Sequence, residues 1–332
     1  MKRIVKLTNE EKRELFRNTA NRMGLTDAII EKDFWVCYVL DYLFSRSPWK
    51  DALVFKGGTS LSKVYHIISR FSEDIDLMID WRLLGYTTDE PWENRSKTKQ
   101  DKYSKQMRAD TNTFLEEVLV PHLRKGFHEE MGTIPEIYIE KDGLESIVNF
   151  AYPHLYDDIY LRPEVRLEIG ALAEWSPSHY EEIISYSAEQ YPELFEETIS
   201  KVRTTDVERT FWEKLTILHK VATQEGKSLI PRYARHYYDV YCMVNTDVKG
   251  KALKRNDLLK KDINFKSKFY YAKSAGYETA KIGSLKLVPS ESTISQLADD
   301  YEHMKNMIYG DIPEFNEIIR EIAILEKEIN TL

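Results

Sequence analysis

Between residues 9 and 46 apolar positions recur at intervals of three and four, the pattern of helices that bury one face. Thr8, with Glu11 three residues on, has the spacing of a capping box. Thr26 opens a second helix carrying Ile29, Ile30, Phe34, Val36, Cys37, Val39, Leu40 and Leu43. Residues 52–56 form a short apolar run that stops at Gly57-Gly58, which predicts a strand and a tight turn. Ser60, Leu61, Val64, Tyr65, Ile67 and Ile68 return to helical spacing, so a helix is expected from the glycines through residue 68. From Phe71 to Ile79 the period drops to two and predicts another strand. Residues 89–130 are charged and helical in character. Short strand-like segments follow at about 134–141, 146–152, 160–170 and 181–187. Beyond Asp206 helical spacing dominates and ends in an acidic helix over about 312–331.

This order predicts an α+β fold, with an N-terminal helical segment (1–50), a core (51–195) interrupted by a helical insertion at about 89–130, and a helical C-terminal domain (196–332). The boundary between the last two is expected around Tyr191-Pro192. With 42% hydrophobic and 31% charged residues among 332, the chain reads as globular rather than disordered. Its two cysteines, Cys37 and Cys242, lie in apolar, aromatic-rich surroundings and read as buried thiols, with neither a disulfide nor a zinc site expected. The start, Met1-Lys-Arg-Ile-Val-Lys-Leu-Thr, lacks the apolar core of a signal peptide, and no apolar run reaches the ~18 residues of a membrane span, so a cytoplasmic protein is expected. A net charge of −8 argues against non-specific coating of nucleic acid. Residues 249–286, with eleven Lys and Arg against three Asp and Glu, are nonetheless a local basic segment suited to a polyanion or to plain solvation.

The chemistry gathers in Phe55-Lys-Gly-Gly-Thr-Ser-Leu-Ser-Lys and Arg70-Phe-Ser-Glu-Asp-Ile-Asp-Leu. A glycine turn into a helix that begins with Thr59 and Ser60 exposes backbone N–H groups suited to phosphate. Asp74 and Asp76, two apart on a strand, point to one face, while Ile75 and Leu77 point into the core. Such paired carboxylates suit hard cations such as Mg²⁺, and two ions about 3.5–4 Å apart can clamp the attacking and leaving oxygens of phosphoryl transfer. Either motif alone is common; their order, turn, helix and then Asp-x-Asp strand, is far more specific.

Gly57-Gly58-Thr59-Ser60-Leu61 with Arg70-x-Ser72-Glu73-Asp74-Ile75-Asp76-Leu77 resembles the signature of the AbiEii/AbiGii nucleotidyltransferase toxins, which are DNA polymerase β-like. Glu31-Lys32-Asp33-Phe34-Trp35 upstream resembles the same family, as do Thr210-Phe211-Trp212-Glu213-Lys214-Leu215 and Arg235-His236-Tyr237-Tyr238-Asp239-Val240-Tyr241 downstream. The similarity runs in order from about residue 26 to 245. It implies a polymerase β-like core, a mixed sheet flanked by helices. It further implies two Mg²⁺ ions (or Mn²⁺), an NTP held by Lys56, Gly57, Gly58, Thr59, Ser60 and Lys214, and metal ligands Asp74, Asp76 and a third acid. Glu168, in Pro163-Glu-Val-Arg-Leu-Glu-Ile, is the best match for that acid, as ligand or base; it could instead be a surface partner of Arg166. Lys214 lies beside the apolar positions Phe211, Leu215, Leu218 and Ala222, and the resemblance puts it on the triphosphate; a solvated lysine opposite Glu213 is the plainer reading. Asp239 is implied as an active-site residue, or forms a structural ion pair with Arg232, Arg235 or Lys214. His219 and His236 read as core or surface residues.

The resemblance implies nucleotidyl transfer from an NTP to an RNA, typically a tRNA 3′ end, by the toxin of an abortive-infection or toxin–antitoxin system active in phage defence. It also implies an antitoxin encoded alongside. Transfer onto a protein or small molecule, or a catalytically silent module that binds a nucleotide or partner, are the other two readings.

Overall fold

The computed structural model describes residues 1–158, 161–171, 177–224, 231–270 and 275–332. After a single-turn α1 (Lys2–Val5), the capping box forms as its spacing predicts. The Thr8 hydroxyl accepts from the Glu11 N–H at 3.2 Å, and the Glu11 carboxylate accepts from the Thr8 N–H at 2.8 Å. It opens α2 (Asn9–Met23), which Gly24 ends in a left-handed conformation; Thr26 then caps α3 (Asp27–Asp41). The chain divides into two compact units, Met1–Val64 with Ser72–Thr204, and Tyr65–Phe71 with Thr205–Leu332.

The first unit is built on one mixed sheet. Its strands are β1 (Leu53–Lys56), β2 (Asp74–Ile79), β3 (Glu136–Asp142), β4 (Glu145–Ala151), β5 (Glu164–Gly170), β6 (Ser178–Ile184) and β7 (Ile199–Thr205), in the order β3-β4-β5-β2-β1-β7-β6. β2 runs antiparallel to β1 and parallel to β5. Helix α4 (Gly57–Lys63) joins β1 towards β2; α5 (Lys97–Phe114) and α6 (Val120–Met131), linked by a π turn, form the helical excursion; α7 (Tyr186–Gln190) follows β6. Alternation along the strands sends Ile75, Leu77, Val165, Leu167, Val148 and Phe150 into the core, all 1% exposed or less. Trp35 of α3 stacks on Tyr152 at 5.7 Å and meets Phe150 edge-on at 5.6 Å, so α3 contributes its aromatic face to that core.

The second unit is helical: α8 (Val207–Thr223), α9 (Ala234–Val244), α10 (Val248–Lys254), α11 (Asp257–Phe269), α12 (Glu291–Met304) and α13 (Phe315–Asn330). Phe211, Leu215 and Leu218 of α8, Tyr237 and Val240 of α9, and Ile318 and Ile322 of α13 are fully buried. Among the described residues no helix is long and apolar enough to cross a membrane.

Several expectations need correction. The helix after the glycines stops at Lys63 rather than continuing to 68, because His66 turns the chain with φ 50°. The apolar residues that give 64–71 its helical spacing serve tertiary pairing instead. The Phe71 N–H donates to the Met307 carbonyl at 2.7 Å, and the Tyr309 N–H to the Ser69 carbonyl at 2.8 Å. For the same reason β2 begins at Asp74, not at Phe71. β7 is absent from the elements that the pattern predicts: Ile-Ser-Lys-Val-Arg-Thr-Thr alternates, but with polar residues at most positions. β5 begins at Glu164, and residue 160, its expected start, lies outside the described residues. Both cysteines are free; Cys37 is buried, but Cys242 is only half-buried.

Candidate active site

β1 ends at Lys56 and the chain turns at Gly57, whose φ of 79° lies in the left-handed region that glycine tolerates without strain. A second constraint acts at the same residue. A Cβ at Gly57 would stand 1.9 Å from Asp76 Oδ2 and 2.7 Å from its Cγ, so the turn and the carboxylate touch. This close approach follows from the register, because Lys56 pairs with Asp76 across β1 and β2. Gly58 is buried in the first turn of α4, and that helix has no side-chain cap at its N-terminus.

The hydroxyls of the turn do something other than expected. Thr59, 1% exposed, donates to the Asp74 carbonyl and lies 2.9 Å from the Ser72 hydroxyl, which ties α4 to the start of β2. Ser60, fully buried, donates to the Gly57 carbonyl at 2.8 Å and so holds the turn's shape. The resemblance implies nucleotide contacts for both; in the structure both hydroxyls shape the loop.

Asp74 and Asp76 are half-buried on one face of β2, with Ile75 and Leu77 on the other, as alternation requires. Because Asp76 is in register with Glu168, the side chains of Lys56, Asp76 and Glu168 share one row over three adjacent strands. The neighbouring row holds Asp74, Arg166 and Asn149. Glu168 is exposed. The Arg166 guanidinium donates to Glu140 at 2.6 Å and reaches Asp74 at 3.7 Å. Arg166 therefore places a fixed positive charge beside one of the two aspartates. Among the described residues no three His, Cys, Asp or Glu side chains converge closely enough to hold an ion unaided. Two half-buried carboxylates beside a turn without a side chain still fit Mg²⁺, which keeps several waters and takes one or two carboxylates together with substrate phosphates.

In the second unit, Lys214 and Asp239 come together. Asp239 is fully buried between Arg70, which donates to it at 2.7 and 2.9 Å, and Lys214 at 2.8 Å. Burial alone would raise this carboxyl's pKa, but the two cations more than offset it and hold it well below the usual carboxylate range. Lys214, 7% exposed, is not a solvated partner of Glu213, which pairs with Arg209 at 2.8 Å. Its ammonium also donates to His236 Nδ1 at 3.2 Å, and burial lowers its pKa despite Asp239. The same burial, with Lys214 alongside, keeps His236 neutral.

Of the three ion-pair partners weighed for Asp239, Arg232, Arg235 or Lys214, the structure places Lys214 beside it, and the other cation there is Arg70, to which sequence reasoning assigns no role. Two signals point to Arg70: an arginine among Ile67, Ile68 and Phe71 needs an acid, and Asp239 among tyrosines needs a base. His219 is a core residue. Its Nδ1 accepts from the Lys286 N–H at 2.9 Å and its Nε2 donates to the Gly276 carbonyl at 2.9 Å.

The basic segment 249–286 is partly neutralised by acids from elsewhere in the chain. Lys249 pairs with Glu328 at 3.0 Å, Lys251 with Asp247 at 2.7 Å and Arg255 with Asp206 at 2.6 Å. Residues 271–274 of this segment lie outside the described residues.

No curated protein matches the chain in sequence. Among solved structures it is similar to MenT4, a nucleotidyltransferase toxin from Mycobacterium tuberculosis, at 15% identity and a TM-score of 0.43, over 96% of this chain and 99% of that one. Residues 38–321 match the family described as nucleotidyl transferase AbiEii toxin, type IV toxin–antitoxin system. The chain therefore belongs to the AbiEii family of nucleotidyltransferase toxins and is an enzyme of that class.

Proposed function

We propose that the enzyme transfers a nucleoside monophosphate from an NTP to a hydroxyl of an RNA, with a tRNA 3′ end as the first candidate. The approach of Gly57 to the Asp76 carboxylate carries this reading, because it sets bare backbone beside two aspartates of one strand face. The Gly58, Thr59 and Ser60 amides would donate to the triphosphate oxygens, and Lys56, in the row of Asp76, would add positive charge. Asp74 and Asp76, with Glu168 as a third ligand, would hold Mg²⁺ or Mn²⁺, which supplies charge neutralisation at the phosphate oxygens. The acceptor oxygen then bonds to the α-phosphorus as the bond to pyrophosphate breaks. Its proton passes to a base, for which Glu168 is the candidate. For Lys214 we keep the role implied by the family, a point charge for the triphosphate, with Asp239 orienting it. Lys214→Met should then raise KM for the NTP more than it lowers kcat.

In the cell this activity would arrest growth and serve phage defence, countered by an antitoxin encoded nearby. Incubation with each α-labelled NTP, Mg²⁺ and total RNA, read on a denaturing gel, tests the substrate. A band of tRNA length with one or two NTPs is expected. Label on a protein with none on RNA would move the acceptor to the protein class.

A further inference from the structure

Glu31, Lys32 and Asp33 are consecutive charged residues of α3, and they are 1%, 1% and 2% exposed. Three buried charges in succession are costly unless each is paired or hydrogen-bonded, and here Lys32 and Asp33 are ion-paired and Glu31 is hydrogen-bonded. The Glu31 carboxylate accepts from the Leu155 N–H at 2.8 Å and the Tyr156 N–H at 3.1 Å. The Lys32 ammonium meets Glu73 at 2.5 Å and donates to the Arg162 carbonyl at 2.9 Å. Asp33 accepts from Lys63 at 2.7 Å with one oxygen and from the Tyr186 N–H at 2.7 Å with the other.

The partners matter more than the pairs. Lys63 is the last residue of α4, the helix that begins at Gly57, and Glu73 immediately precedes Asp74. Between them the chain leaves the first unit, since residues 65–71 belong to the second. The two stubs of this break are the phosphate turn's helix and the aspartate strand, and adjacent residues of one helix grip both. We propose that Lys32 and Asp33 are positioning residues for nucleotidyl transfer: by holding Lys63 and Glu73 they fix where Asp74 and Asp76 stand relative to the Gly57 turn. This inference rests on the function proposed above. A buried ion pair is weak evidence for stability, since neutral replacements of similar volume often fold as well. Fixing register is its better-attested use.

The test is the double variant Lys32→Met/Glu73→Gln, which removes both charges and orphans neither. Thermal melting, NTP turnover and Mn²⁺ affinity by electron paramagnetic resonance are compared with wild type. The double variant should melt close to wild type and keep its KM for the NTP, yet lose about 10- to 100-fold in kcat, the order expected of an ångström-scale displacement. Its Mn²⁺ affinity should weaken by about tenfold, as when the groups that support a metal's ligands are removed. Equal kcat per folded molecule with equal Mn²⁺ affinity would overturn the proposal and leave the pairs structural. If this variant does not fold, Asp33→Asn/Lys63→Gln interrogates the other arm by the same measurements. A wild type that transfers no nucleotide defeats the functional reading itself, and the Mn²⁺ comparison still decides the positioning role.

Discussion

A methyl group at Gly57 would stand 1.9 Å from an oxygen of Asp76, on backbone already in a left-handed conformation. Gly57→Ala must therefore move the turn or the carboxylate. We expect kcat to fall by about 10²-fold, the order of an ångström-scale misplacement, with about 1–2 kcal/mol lost to backbone strain. Wild-type turnover in a folded Gly57→Ala protein would refute the close approach. His219 allows a test of the second unit. Its Nδ1 already accepts from the Lys286 N–H, so protonation would break that bond, and burial lowers its pKa further. Below the ordinary histidine value near 6.5 the unfolded chain takes a proton that the folded chain refuses, so stability falls as pH falls. The slope per such group is at most about 1.4 kcal/mol per pH unit. Thermal melting between pH 7.5 and 5.5 should be shallower in His219→Gln; an unchanged slope would remove His219 from the account. At this scale the sequence discloses the strand carboxylates and the glycine turn, because both depend on local spacing. It does not disclose that the Thr59 and Ser60 hydroxyls turn inward, since their acceptors, the Asp74 and Gly57 carbonyls, are fixed by the folded loop.

Elements are most legible where their signals are local. The Thr8–Glu11 box and the Thr26 cap form as spacing predicts, and urea denaturation of Thr8→Ala should show a loss of about 1 kcal/mol. No loss in that variant would mean that tertiary packing alone fixes the start of α2. α4 fails the same logic, because the apolar residues within 64–71 satisfy a helical pattern while the backbone of 69–71 pairs with residues 307–309, more than two hundred positions away. β7 escapes notice because its buried positions are mostly hydroxyl-bearing: Ser200, Thr204 and Thr205 are buried beside Val202, and the Ser200 and Thr204 hydroxyls are satisfied by Asp41 and the Phe55 carbonyl, partners that only the fold supplies. Lys32 and Asp33 of α3 stand out as charges in the sequence, but only their partners, Glu73 and Lys63, motivate the positioning role proposed for them.

For the molecule as a whole, a charge of −8 means that the RNA proposed as acceptor would have to be drawn to a local surface rather than to the chain at large. Ion pairs at Lys249, Lys251 and Arg255 reduce what the balance of 249–286 suggests, although exposed pairs of this kind are weak enough to exchange for phosphate. Lys254→Ala/Lys260→Ala, at two exposed positions, should flatten the salt dependence of RNA binding by about 0.7 in slope for each phosphate no longer neutralised. An unchanged slope would place the RNA elsewhere. The central claim concerns the carboxylates facing the Gly57 turn, and it is met most directly by pyrophosphate release from NTP with Mg²⁺ and total RNA, comparing wild type with a folded Asp76→Asn. The account predicts release by wild type and a loss of about 10²–10³-fold in the variant, the scale of removing one electrostatic stabiliser from a transition state. Equal release by the two proteins would contradict it.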